Sequence, residues 1–411
     1  MGVVAGDHRA LPPMDVAGRL ARLRAGFDGA GVDALLVTRS PNIRYLTGFT
    51  GSAAMVLVTA TDAILVTDGR YRDQATDQIA GAGVDGRVVV GVTQAIQRDA
   101  TGAAVADAGI GRLGLEAHGV TWAQQRTFAN EWFTDQELLA TDGLVETLRK
   151  VKDAGEVGRI EAACEIADDA LGGLIGTLAD GPTEREFAIA LEFAMRERGA
   201  VGNSFDPIVA SGPNGAKPHA RPSNRRIERG ELVVIDFGCT VDGYCSDMTR
   251  TVSVGDPGPE ARRVWDVVAE SQAAGREALR AGAECAAVDR TCRNIIEEAG
   301  WGEAFLHGTG HGVGIEIHED PRVASTSSDT LQVGEVVTVE PGVYLTGVGG
   351  VRIEDTLVVT GDGTPATEPP TTGPPTTGPT AAGPPAGEST GGGAEDLPGA
   401  RALTKFPKEL A

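Results

Sequence analysis

Apolar positions in the opening part of the chain recur first with helical and then with strand spacing. Val16, Leu20, Leu23 and Phe27 share one helical face, Gly31 stands where a C-terminal cap is needed, and "DALLVT" then predicts a buried strand. "MVLVT" and "AILVT" follow with only a turn between them. After a helical stretch come two more strands, "RVVVG" and "RLGLE". Residues 14–148 are therefore predicted to form an α/β domain. From Lys152 the pattern changes to a long helix that opens a second domain, 152–362. Within it, Thr183 and Glu186 make a capping box for a helix running to about Gly199.

The second domain repeats itself. "GELVVID" (230–236) matches "GEVVTVE" (334–340), which gives Asp236 and Glu340 equivalent places. A second strand follows each copy, "SDMTRTV" with Asp247 and "IEDTLVV" with Glu354. Two helical stretches precede each, 153–178 and 183–199, then 259–281 and 285–299. This predicts two related helix-helix-strand halves about a pseudo-two-fold axis. Asp242-Gly243 reads as a two-residue hairpin turn, a register that pairs Asp236 with Thr249 and Phe237 with Met248. Asp247 then becomes a diagonal neighbour of Asp236 on one face, and the repeat delivers Glu340 and Glu354 to the same place.

Four converging carboxylates, all ionised, repel one another by on the order of 10–20 kcal/mol at an effective dielectric near 20. Such a cluster needs cations or must bind protons. "HGTGHGVGIEIHED" adds His307, His311 and His318, and carboxylates with an imidazole suit Mn²⁺, Co²⁺ or Zn²⁺. Bridging carboxylates suit two metals about 3.5–4 Å apart. Any one of these acids alone reads as a cap, a turn or a surface charge; the set together does not. The glycine-rich run lacks the lysine and hydroxyl of a phosphate loop. Cys239 and Cys245 flank the hairpin turn on opposite faces, so neither a disulfide nor a thiol site is expected there. His8 and His118 read as surface or core residues.

Composition narrows the class. The 411 residues are 41% hydrophobic and 23% charged, ordinary for a globular chain, and the net charge of −22 argues against nucleic acid, whose phosphates select clustered Lys and Arg. No apolar run approaches the ~20 residues of a membrane helix. The start "MGVVAGDHRALPPM" lacks the basic flank and apolar centre of a signal peptide, and five cysteines without paired spacing fit a reducing compartment, so the cytoplasm is the expected location. Residues 363–400 are rich in Pro, Gly and Thr and predict a disordered insertion. The end segment 401–411 regains apolar spacing at Leu403, Phe406 and Leu410, which predicts docking on the body.

"IDFGCTVDGYCSDMTRT", "HGTGHGVGIEIHE", "VEPGVY" and "GGVRIEDT" resemble the signature segments of the pita-bread metallopeptidases, specifically the aminopeptidase P and prolidase branch. "NIRYLTGFTGS" and "LVTDGRY" are similar to the amino-terminal creatinase-like domain of that branch. The resemblance implies an α+β chain, with a smaller α/β creatinase-like domain followed by a pita-bread (creatinase/aminopeptidase) catalytic domain with an internal pseudo-two-fold repeat. It implies that Asp236, Asp247, His311, Glu340 and Glu354 hold two divalent metals, most readily Mn²⁺, with Asp247 and Glu354 bridging. It further implies that His219 and His318 line the substrate site, that His307 shapes the pocket, and that Arg352 and Tyr344 orient ligands. The implied reaction is cleavage of the bond before a proline at the second position by a metal-bridging hydroxide, with Glu340 carrying the proton. The leading expectation is an Xaa-Pro aminopeptidase acting on peptides, with an Xaa-Pro dipeptidase (prolidase) as the alternative. More remote are methionine aminopeptidase-like activity and a non-catalytic peptide-binding module. A homodimer or higher homo-oligomer is also implied.

Overall fold

Residues 11–91, 93–361 and 399–410 are described by a computed structural model of the chain. Contacts divide them into two units, residues 14–150 and residues 151–361 with 399–410 and the short segment 11–13. His8 and the insertion expected over 363–400, as far as residue 398, lie outside the described residues.

The first unit is a six-stranded sheet. Its strands are β1 (Ala34–Val37), β2 (Ala54–Thr59), β3 (Ala63–Thr67), β4 (Arg87–Val90), β5 (Arg112–Glu116) and β6 (Glu137–Thr141), in the order β4-β3-β2-β1-β5-β6. β1, β2 and β3 run antiparallel, while β4, β5 and β6 each pair parallel to their inner neighbour. Val16, Leu20, Leu23 and Phe27 are all buried, and Gly31 adopts the left-handed conformation (φ 69°) that ends the second of two short helices. β6 is the strand the sequence pattern missed. It lies at the sheet edge with Glu137 and Ala140 exposed, so its apolar run is short and broken.

The second unit has two halves of the same construction. In the first, helices Ala154–Leu174 and Glu184–Glu197 precede β7 (Gly202–Asn203), β8 (Ile208–Ser211), β9 (Leu232–Phe237), β10 (Cys239–Val241), β11 (Tyr244–Cys245) and β12 (Met248–Ser253). In the second, helices Gly258–Ala278 and Cys285–Glu298 precede β13 (Gly310–Gly312), β14 (Glu319–Val323), β15 (Val336–Val339), β16 (Gly342–Leu345), β17 (Gly349–Arg352) and β18 (Asp355–Val359). β19 (Ala400–Ala402) completes the order β14-β13-β15-β18-β19. Each helix pair buries its apolar stripe on its own sheet. Ala167, Leu171, Phe187 and Leu191 pack with Val233, Ile235 and Val252, and Val264, Val268, Val288 and Ile296 pack with Val337, Val339 and Leu357. The capping box of Thr183 and Glu186 is formed. Among the described residues no helix is long and apolar enough to cross a membrane.

Register places the acidic residues. Asp242 and Gly243 both take positive φ (43° and 75°), the conformation of a tight hairpin turn, and β9 pairs with β12 so that Asp236 faces Thr249 and Phe237 faces Met248. In the second half Val339 pairs with Asp355 and Gly342 with Arg352, a register that sets Glu340 opposite Glu354.

Candidate metal centre

Every candidate acidic side chain sits at or beside the end of a strand. Asp236 lies in β9, Asp247 precedes β12, Glu340 follows β15 and Glu354 precedes β18. His311 is the middle residue of β13. The glycines around it are steric requirements, since a Cβ on Gly310 would collide with the Thr338 carbonyl oxygen and one on Gly312 with that of Asp320. Thr338 then holds the His311 backbone N–H at 3.1 Å.

The side chains converge. One ligand atom each from Asp247, His311 and Glu354 lies within 4.8 Å of the others. His311 Nε2 is 3.5 Å from Asp247 Oδ2 and 3.4 Å from Glu340 Oε1. Its Nδ1 lies 3.0 Å from the Gly312 carbonyl oxygen, so the proton belongs there and the Nε2 lone pair faces the carboxylates. Asp236 Oδ1 is buried without a hydrogen-bond partner. An imidazole lone pair, an orphaned carboxylate oxygen and three further carboxylates in one buried space form a donor set that fits divalent cations.

Charge states agree with that fit. Burial, then the neighbouring carboxylates, pushes Asp247 and Glu354 well above the usual carboxylate range. Glu340 is pushed up to about 8, by burial first. Burial pushes His311 down to about 3, which keeps the imidazole neutral and able to ligate. Without cations the cluster must carry protons instead.

Arg352 is a buried cation beside the cluster. It donates to Asp236 Oδ2 (2.5 Å), to the Tyr344 hydroxyl (2.6 Å) and, through Nε, to Thr249 Oγ1 (3.0 Å). Thr249 in turn donates to Glu354 Oε2 at 2.7 Å. The Tyr344 hydroxyl lies 2.8 Å from His307 Nε2, and His307 Nδ1 lies 2.8 Å from the Gly308 carbonyl oxygen. A chain of donors therefore runs from Arg352 through Tyr344 to His307, whose imidazole burial pushes down to about 4.

Asp236, Asp247, His307, His311, Glu340, Arg352 and Glu354 line a cavity of about 630 Å³ that also receives His219, His318 and Arg322. His219 and His318 are exposed there, and the His318 ring meets the His311 ring edge-on at 4.4 Å between centroids. The loop carrying His219 is pinned by Glu184, whose carboxylate accepts from the backbone and hydroxyl of both Ser211 and Ser223 and from Asn214. The loop before His311 is pinned by Asp289, which accepts from the Thr309 N–H and hydroxyl. His118 lies outside the cavity, exposed and 3.1 Å from Asp142, and the five cysteines are all buried and joined by no disulfide.

Sequence reasoning placed Thr249 opposite Asp236 without giving it a role, and it missed Asp289 and Arg322. Alternation on β12 sets Thr249 on the face of Asp247, a signal that was available. Arg322 pairs with His311 across β13 and β14 only because of a register shift after His311, which no spacing rule announces.

Comparison with known proteins agrees with this geometry. The model of metallopeptidase family M24 matches residues 158–361, and that of the creatinase/prolidase N-terminal domain matches residues 19–151. The chain is 40% identical over 345 residues to the uncharacterized peptidase YqhT of Bacillus subtilis (strain 168), covering 84% of this chain and 96% of that protein. Among solved structures it is similar to an Xaa-Pro dipeptidase from Bacillus anthracis (37% identity, TM-score 0.84, 96% and 99% of the two chains). It is also similar to the X-Pro aminopeptidase from Thermotoga maritima MSB8 (33%, TM-score 0.78, 94% and 99%).

Proposed function

The chain belongs to metallopeptidase family M24, and from that premise we propose that it hydrolyses the bond between an amino-terminal residue and a following proline, with Xaa-Pro dipeptides as its substrates. Arg322 carries the choice of dipeptides. It stands opposite His311 across β13 and β14, so the two side chains share a face, and it lines the cavity. A dipeptide brings its own carboxylate to within one residue of the scissile bond, and a guanidinium beside the cluster suits that charge. The second reading, an Xaa-Pro aminopeptidase acting on longer peptides, is supported by the likeness to the Thermotoga maritima structure.

Asp236, Asp247, His311, Glu340 and Glu354 would hold two divalent cations, Mn²⁺ by preference. These would supply the charge that polarises the scissile carbonyl and acidifies the attacking water. Glu340 accepts the water's proton and returns it to the proline nitrogen. His219 and His318, exposed in the cavity, donate to the carbonyl oxygen as charge develops on it. Arg352 and Thr249 keep Asp236 and Glu354 in place. Phe205, Pro207 and Ile317 offer an apolar wall for the proline ring, which has no N–H to dock and a fixed φ.

The test is the purified chain with Mn²⁺ on Ala-Pro and Ala-Pro-Ala, with Arg322→Met beside it. Dipeptide preference should fall at least ~10-fold in the variant, the scale of a lost charge-assisted hydrogen bond. A parent that prefers the tripeptide, with the variant unchanged, selects the aminopeptidase reading.

A further inference from the structure

Glu354 has a second set of neighbours behind it. Asp355, the next residue, is buried on the other side of the strand, where Arg250 Nη2 lies 3.0 Å from its Oδ1 and Gln272 Nε2 3.0 Å from its Oδ2. Arg250 also donates through Nη1 to the backbone carbonyls of Glu354 and Thr249, the residue whose hydroxyl holds the Glu354 carboxylate. One guanidinium thus grips the backbone at both ends of the Thr249–Glu354 contact.

The end of the chain completes this arrangement. β19 pairs with β18 (Leu357 with Ala402, Val359 with Ala400), and beyond it the segment crosses the back of the site. Thr404 Oγ1 donates to Asp355 Oδ1 at 3.0 Å and accepts from the Thr356 N–H at 3.2 Å. The Phe406 carbonyl accepts from Arg250 Nε (3.0 Å) and Nη2 (2.7 Å). Lys408 Nζ pairs with Asp355 Oδ2 and donates to Gln272 Oε1 at 3.1 Å. The segment has separate anchors away from this network. Asp168 accepts from the Lys405 and Phe406 N–H groups, and Arg401 pairs with Glu161 at 2.6 Å.

We propose that Thr404 and Lys408 are positioning residues for the metal centre: with the Phe406 carbonyl they lock the Arg250–Asp355 pair behind Glu354 and so fix the direction of its carboxylate. The inference rests on the metallopeptidase reading of the cluster. The partners of a ligating carboxylate set its orientation, and losing such a partner costs about 10–100-fold in metal affinity. Residues supplied from the far side of a long Pro, Gly and Thr-rich stretch are thereby made part of the active centre.

The experiment uses the full chain with Lys408→Met, Thr404→Val, Lys408→Arg and, as a docking control, Arg401→Ala. Metal-free protein is titrated with Mn²⁺ by calorimetry, and the metal-free melting temperature and Ala-Pro hydrolysis are followed in parallel. The expected result is a roughly 10-fold or greater loss of Mn²⁺ affinity in Lys408→Met and Thr404→Val. Recovery is expected in Lys408→Arg, with Arg401→Ala within about twofold of the parent because it leaves Asp355 untouched. The dipeptide kcat should fall at limiting Mn²⁺ while KM stays constant. Mn²⁺ isotherms equal to the parent's in Lys408→Met and Thr404→Val overturn the proposal, whatever happens to melting. If Lys408→Met fails to fold, Thr404→Val decides on the same criterion. A parent that binds Mn²⁺ yet cleaves no Xaa-Pro peptide refutes the proposed substrate, while the affinity series still decides the positioning role.

Discussion

Removing metal should make the catalytic unit lose stability as pH rises from 6.5 to 8. In the metal-free protein Glu340 titrates at about 8, against 4.5 for a free glutamate, mainly because it is buried. Between those values the unfolded chain is ionised while the folded chain holds the proton, so the folded state binds more protons and its stability falls with pH. The stability is intact below the unfolded value and lost as pH climbs to the folded one. Other groups crowd the lower part of this range. His307 and His311, pushed down to about 4 and about 3 from 6.5, act in the opposite sense mainly below 6.5, with a tail that fades over about the next pH unit, and Asp168, pushed up to about 6, titrates mostly below the window. Lys408, pushed down to about 8 by burial, opposes the trend only in the last pH unit, and one lysine against three buried carboxylates leaves the sign with the cluster throughout the window from 6.5 to 8. At about 1.36 kcal/mol per pH unit per proton, Glu340 alone contributes about 2 kcal/mol over it, an upper value because its side chain keeps 17% exposure. Asp247 and Glu354 share protons with it and steepen the slope. The melting transition of this unit should drop by about 4–8 °C, using ~2–4 °C per kcal/mol. The assay is scanning calorimetry in chelator at both pH values, with a parallel series in saturating Mn²⁺, which identifies the transition and displaces the protons. Equal or greater stability at pH 8 in metal-free protein refutes the reasoning.

Three further outcomes are expected. Glu340→Gln keeps the shape but loses the proton acceptor, so kcat should fall at least ~10²-fold with both metals still bound; a change of only a few-fold excludes the role. Arg352→Met breaks a buried pair with Asp236 and should cost the metal-free protein about 3–5 kcal/mol in urea unfolding, while Arg352→Lys should not restore it, because no ammonium spans Asp236, Tyr344 and Thr249 together. Replacing residues 361–398 by Asn-Gly should leave kcat/KM within about twofold, since Thr360 N already donates to the Gly399 carbonyl at 2.8 Å and a two-residue turn closes such strands. A tenfold loss would make that stretch part of the site.

The hairpin register was legible because side-chain alternation and an Asp-Gly turn leave little freedom. The pairing of Asp236 with Thr249 follows from the positions of Asp242 and Gly243 alone. The internal repeat then led from two aspartates to Glu340 and Glu354 without any knowledge of their contacts. Individual ligand roles were another matter, since they came with the family resemblance and the spacing of the three histidines does not rank them. What stayed hidden depends on irregular backbone or on distant chain. Arg322 reaches the cavity through a register shift, and Glu184 reads as an ordinary first-turn acid although it pins the loop of His219. Leu403 was foreseen as a docking residue and is fully buried. The contacts of Lys408 and Thr404 with Asp355 join residues about fifty apart in sequence, beyond any local pattern.

The central claim is that four carboxylates and one imidazole hold two metals that carry the hydrolysis of Xaa-Pro bonds. Its most direct test is to strip the full chain with chelator, add Mn²⁺ back stepwise, and follow bound metal per chain and Ala-Pro cleavage in the same samples. Activity absent at zero metal, rising to a plateau as occupancy reaches two ions per chain, is the predicted result. Full cleavage by protein shown to contain no metal would contradict it.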